Sequence, residues 1–204
     1  MILKNYVSFL SVISCLLISG CTQSPSTKTT SAPAVEIKDE KADQVILPQS
    51  EPDTLKGSLK SEATGHIGSA NIKINYHSPA VRGRVVWGGL VPYNQVWVTG
   101  AHSATSFETD QELTIGGKKI PAGKYALFTI PDKENWVIIF NKNWQQHLAD
   151  NYSETEDLVR VNIKPEVQME NQERLRYEVL SDKQNTGRIV VSWEKLKLTV
   201  PVSL

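Results

Sequence analysis

Between Ala70 and Val202 the chain is a series of short β-type runs cut by turn residues. The cuts fall roughly every eight to twelve residues, a spacing that favours a sandwich or a barrel. Ile72 and Ile74 alternate with Lys73 and Asn75 in the run Ala70–Tyr76. Arg84–Trp87, Gln95–Val98 and Ala104–Glu108 are further short runs. Leu113-Thr114-Ile115 and Lys118-Lys119-Ile120 flank Gly116-Gly117. Two glycines between such runs predict a tight hairpin, because both can take positive φ. Pro121-Ala122-Gly123 turns the chain into Gly123–Ile130, and Pro131–Glu134 separates that run from Asn135–Asn141. Leu158–Ile163, Leu175–Leu180, Arg188–Trp193 and Leu196–Val202 complete the series. Asn143–Asp150 is the one helical candidate, with Trp144 and Leu148 on one face. The expectation is an all-β fold: a β-sandwich or jelly-roll-like barrel of about ten short strands, with at most one short helix.

The first residues address the chain. Lys4 precedes an apolar run from Tyr6 to Ile18, and Ile18-Ser19-Gly20-Cys21 closes it. The run is too short for a spanning helix and reads as a secretory signal. Its ending resembles the lipobox of bacterial lipoproteins. That resemblance implies cleavage before Cys21 and lipidation of Cys21, hence a membrane partner through the lipid. Thr22 rather than aspartate follows the cysteine, and the same resemblance then implies the outer membrane of the cell envelope. The chain holds two cysteines, and Cys15 lies in the segment that would be removed. The mature chain would have no disulfide, so core packing must hold it.

Three segments follow from composition. Residues 1–20 are the expected signal peptide. Residues 21–60 hold the lipidated cysteine and a tether rich in Ser, Thr, Pro, Lys and acidic residues, without an aromatic. Such a segment buries too little to offset ordering entropy. About 39 flexible residues span roughly 35 Å root-mean-square. Residues 61–204 are expected to form one domain. Lys and Arg number 22, as do Asp and Glu. A neutral chain lacks the electrostatic footprint of a nucleic-acid binder.

Several words recur in an unusual order: Tyr76–Arg84, Trp87–Tyr93, Val96–Ala101, Ala104-Thr105, Ile115–Lys118, Pro121–Phe128 and Phe140–Lys142. Together they resemble the bacterial "domain of unknown function 2911" family, whose members are commonly exported or lipid-anchored. The resemblance spans roughly Gly65 to Leu204. It implies no activity. The family pattern places a basic residue after the tryptophan and an Asn-Glu pair after Gly-Ala. Here Val98 follows Trp97, and His102-Ser103 follows Gly100-Ala101.

Candidate chemistry concentrates in Gly88–Thr105. Arg82, Arg84, Tyr93, Trp97 and His102 are candidate binding residues: aromatic faces stack on ligands and arginine forks grip carboxylates. Trp87 and Trp97 also suit the role of core anchors of a sandwich, the more usual place for large aromatics. The envelope ligand would be a glycan, a peptide or a protein. A rival reading is a hydrolase or isomerase built around His77, Arg84, His102 and Glu108, with His77, His102 and Glu108 as its catalytic candidates. No pair among His66, His77, His102 and His147 has a metal-binding spacing, so no metal or cofactor is expected. Ser103 adjoins His102, but strand neighbours face opposite sides, and no nucleophile elbow is present. Glu108, Asp110 and Glu112 alternate as a solvated strand edge does.

Overall fold

The computed structural model describes residues 53–204. Cys21 and all but the end of the expected tether lie outside the described residues. Among the described residues, ten strands make two antiparallel sheets. The strands are β1 (Leu59–Ile67), β2 (Ala70–Ser78), β3 (Ser106–Thr109), β4 (Leu113–Ile115) and β5 (Lys118–Ile120), then β6 (Gly123–Ile130), β7 (Trp136–Asn141), β8 (Asp157–Ile163), β9 (Glu166–Lys183) and β10 (Thr186–Ser203). One sheet runs β1-β2-β3-β6-β7-β8 and the other β5-β4-β10-β9. Neither closes on itself, so the fold is a sandwich and not a barrel.

The core lies between the sheets. Ile67, Ile72, Ile74, Phe107, Leu127 and Phe140 enter it from the larger sheet. Leu113, Ile115, Tyr177, Val179, Val191 and Val200 enter it from the smaller one. β2 shows the cause plainly. Its even-numbered residues are buried, while Asn71 and Lys73 are exposed and Asn75 and His77 half-exposed on the outer face.

β6 and β7 are covered on both faces. Ala126, Phe128 and Ile139 point outward but are buried under a second apolar cluster, which includes Trp144, Ala149 and Tyr152. The segment 143–152 therefore caps the outer face at β6–β7 and stops short of β1–β3. That step leaves a groove on the sheet face.

The Gly116-Gly117 hairpin forms as expected between β4 and β5, with φ of 57° and 78°. Other expectations need correction. No α-helix occurs among the described residues; a 3-10 turn at Glu154–Glu156 is the nearest feature. Asn143–Asp150 is a run of turns, because its backbone pairs with the neighbouring loop. Leu148 N donates to His102 O at 2.7 Å, Gln146 O accepts from Ala104 N at 3.0 Å, and Leu148 has a φ of 48°. Arg84–Trp87 and Gln95–Val98 are loops with isolated bridges, Trp87 to Val91 and Trp97 to Thr129. Turns closed by Leu90 N to Val85 O and Val91 N to Val86 O consume the groups that a strand would use. The strands are not all short. β9 and β10 have 18 residues each, and β10 joins two expected strands through a bulge at Glu194, where φ is 54°.

Residues 53–57 lie against the sandwich. Asp53 pairs with Arg174 at 2.8 Å, with both side chains more than nine-tenths buried. Arg174 also donates to the carbonyls of Leu55, Gly57 and Ser78. No helix among the described residues is long and apolar enough to cross a membrane.

Candidate functional site

The site is built on the loop Thr99–Ser103. Thr99 and His102 both hold positive φ, 50° and 63°. Each such residue costs about 1–2 kcal/mol and persists only where its surroundings enforce it. Here they do. The Thr99 carbonyl accepts from the buried Tyr177 hydroxyl at 2.7 Å and from Thr105 Oγ1 at 3.1 Å. Thr99 Oγ1 lies 3.0 Å from Thr129 Oγ1, and Trp97 Nε1 donates to Gly100 O at 3.2 Å. A Cβ on Gly100 would come within 2.7 Å of Thr105 Oγ1, so any other residue there would displace the hydroxyl that holds Thr99 O. His102 O is held by Leu148 N.

This geometry presents the His102 ring to His77 on β2. The ring centroids are 5.1 Å apart and the planes cross at 80°. His77 is half-buried. Burial, then the charge of His102, then that of Lys60, lower its pKa from the ordinary 6.5.

The two histidines stand between two cavities. One, of about 340 Å³, is lined by Arg84, Leu90, Trp97, His102, Leu148 and Trp193 among others. Behind it stands a cluster of tryptophans. Trp97 and Trp193 stack with centroids 5.6 Å apart, and Trp87 meets Trp97, Trp136 and Trp193 edge-on. The other cavity, of about 530 Å³, is the groove on the sheet face. Its lining includes Lys60, Asn75, His77, Ser106, Trp144 and Gln145. The Lys124 ammonium sits 4.2 Å from the Trp144 ring centre.

Arg84, Trp97 and His102 are thus brought together, and His77 joins them through His102. Arg82 is not part of this cavity. Its guanidinium donates to the carbonyls of Leu55 and Gly57, and its N–H donates to Glu173 at 2.8 Å. Tyr93 is also outside the lining; its ring packs at Gly88. Glu108 lies in a third cavity with His66, Asn71, Lys73 and Asp110, and faces Lys124 at 3.7 Å. Its partner on β2 is Lys73, four residues from His77, or about 13 Å along a strand. The constellation of His77, Arg84, His102 and Glu108 therefore does not close. Among the described residues no three His, Cys, Asp or Glu side chains gather closely enough to share a metal ion.

Trp144, Asn75 and Trp193 belong to the site and were missed. Asn75 and His77 share a face by the period-two pattern of β2, which was a usable signal. Trp144 carried no such signal, since its neighbours suggested a helix face.

No curated protein and no solved structure is similar enough to count as a match. Residues 58–202 match the family described as "Protein of unknown function (DUF2911)". That span includes both sheets, the loop that carries His102 and every cavity just described, and the chain belongs to the DUF2911 family.

Proposed function

We propose that this chain is a binding module of the cell envelope, held by lipid on Cys21, and that the groove on its sheet face takes a glycan. One observation carries the reading: Trp144 forms a wall beside a floor of neutral polar groups. Asn75, His77, Ser103, Ser106, Gln145 and Gln146 line the groove, with Lys60 as its charge and no carboxylate. Neutral amides, hydroxyls and imidazoles pair with sugar hydroxyls, and an indole face packs on a pyranose ring. Lys124 against Trp144 holds the ring in place before a ligand arrives.

The test is retention of the purified full chain on insoluble peptidoglycan and on a glycan array. Wild type is expected to bind and Trp144→Ala to lose most of that binding. A wild-type chain that binds no glycan overturns the reading. Anchoring is tested separately: a palmitate analogue should label the wild type in cells and leave Cys21→Ser unlabelled.

The contact between His77 and His102 favours a second reading, a hydrolase or isomerase. A ring kept neutral can accept a proton near neutral pH. Glu108 is too far to orient it, so this reading ranks second. Turnover of a bound glycan that His77→Gln abolishes would reverse the order.

A further inference from the structure

The cavity behind His102 has a different chemistry from the groove. Leu90, Val91, Trp97, Val98, Leu148 and Trp193 make its walls apolar. Leu90 and Leu148 are exposed at 43% and 38%. Its lining holds one permanent cation, Arg84, together with His102, and no Asp or Glu.

Arg84 is fixed by its own backbone. Nε donates to Val81 O at 3.1 Å and Nη2 to Ala80 O at 2.5 Å. Nη1 makes no hydrogen bond to a described residue. A guanidinium already held on two sides loses little freedom when it takes an anion. An apolar cavity with one fixed, uncompensated cation selects for opposite charge on a hydrocarbon body. The volume of about 340 Å³ lies at the small end for ligand sites and suits a molecule of about ten heavy atoms.

We infer that this cavity binds a small apolar carboxylate, an aromatic or branched acid, with the carboxylate on Arg84 and the hydrocarbon against Trp97 and Trp193. The inference is independent of the glycan reading, because Trp144 does not line this cavity.

The experiment titrates the purified full chain with phenylacetate and with its neutral isostere phenylacetamide, read by calorimetry and by tryptophan fluorescence. The acid is expected to bind at least about tenfold tighter than the amide, the size of one charge-assisted pair. Arg84→Gln is expected to erase that preference. Its unfolding midpoint should fall modestly, because the hydrogen bonds to Val81 O and Ala80 O are lost, while its binding of phenylacetamide should match the wild type. Trp144→Ala is expected to leave acid binding unchanged. The inference is overturned if neither compound binds, if acid and amide bind alike, if Arg84→Gln keeps the preference, or if Trp144→Ala removes it. The last result would place the acid in the sheet-face groove.

Discussion

His77 and His102 meet edge to face, 5.1 Å between ring centres, although they lie in different parts of the fold. His77 is carried on the regular strand β2, and His102 on a loop whose backbone is held in the left-handed region. The contact depends on that loop, so it reports on the loop's integrity.

The first prediction concerns acid. Burial, His102 and Lys60 all favour neutral His77 and lower its pKa from 6.5. Below pH 6.5 the unfolded chain therefore binds a proton that the folded chain resists. The contribution of His77 to stability is constant above pH 6.5 and falls as pH drops through the window below it. His77→Gln should be less acid-sensitive than wild type when urea midpoints are compared at about pH 7.5 and about pH 5. Identical acid slopes would refute the assignment.

Tyr177→Phe tests the support beneath the loop. The lost hydroxyl is buried and bonds Thr99 O, but Thr105 Oγ1 still donates to that carbonyl. The expected cost is about 1 kcal/mol, that of one ordinary hydrogen bond. A loss of about 3 kcal/mol would mean that the loop had collapsed, and tryptophan fluorescence would shift with it.

The hairpin glycines should separate cleanly. Both have positive φ, but a Cβ on Gly116 would come within 2.4 Å of Val161, while one on Gly117 meets nothing within 4 Å. Gly117→Ala should cost about 1 kcal/mol, from backbone strain alone. Gly116→Ala adds the clash with β8 and should cost about twice that or more. Equal thermal shifts would refute the distinction.

Arg174→Met should be the most damaging of these changes. It leaves Asp53 without its buried partner and takes a donor from the Leu55, Gly57 and Ser78 carbonyls, of which the first two keep Arg82. About 3 kcal/mol is expected by denaturant unfolding. Asp53→Asn, which keeps an acceptor for Arg174, should cost less.

What could be read in the sequence followed local chemistry. β6 has the bounds of the β-type run Gly123–Ile130 set by its flanking turns, and the Gly116-Gly117 turn needed only φ preference. β1 was missed because Leu59–Ile67 buries only Ala63 and Ile67 fully and reads as polar. The failures at Arg84–Trp87, Gln95–Val98 and Asn143–Asp150 share one cause. Their backbone groups are satisfied by distant or turn partners such as Thr129 O, His102 O and Asn141 Oδ1, which no local pattern encodes. The site inherits the same limit. Arg84, Trp97 and His102 were legible as residue types, but the exclusion of Glu108 depends on strand register, and Trp144 depends on where a capping segment folds back.

The grip of Arg174 on residues 53–57 also has a mechanical side. A pull on the chain from its N-terminal side reaches Arg174 before it reaches β1. The load enters through Asp53 and the Leu55 and Gly57 carbonyls and passes into the middle of β9. β9 is paired along its length to β10, so the force spreads over a long ladder in place of peeling one edge strand. If the domain is held through lipid on Cys21, as proposed, that junction would act as a strain relief between cord and body.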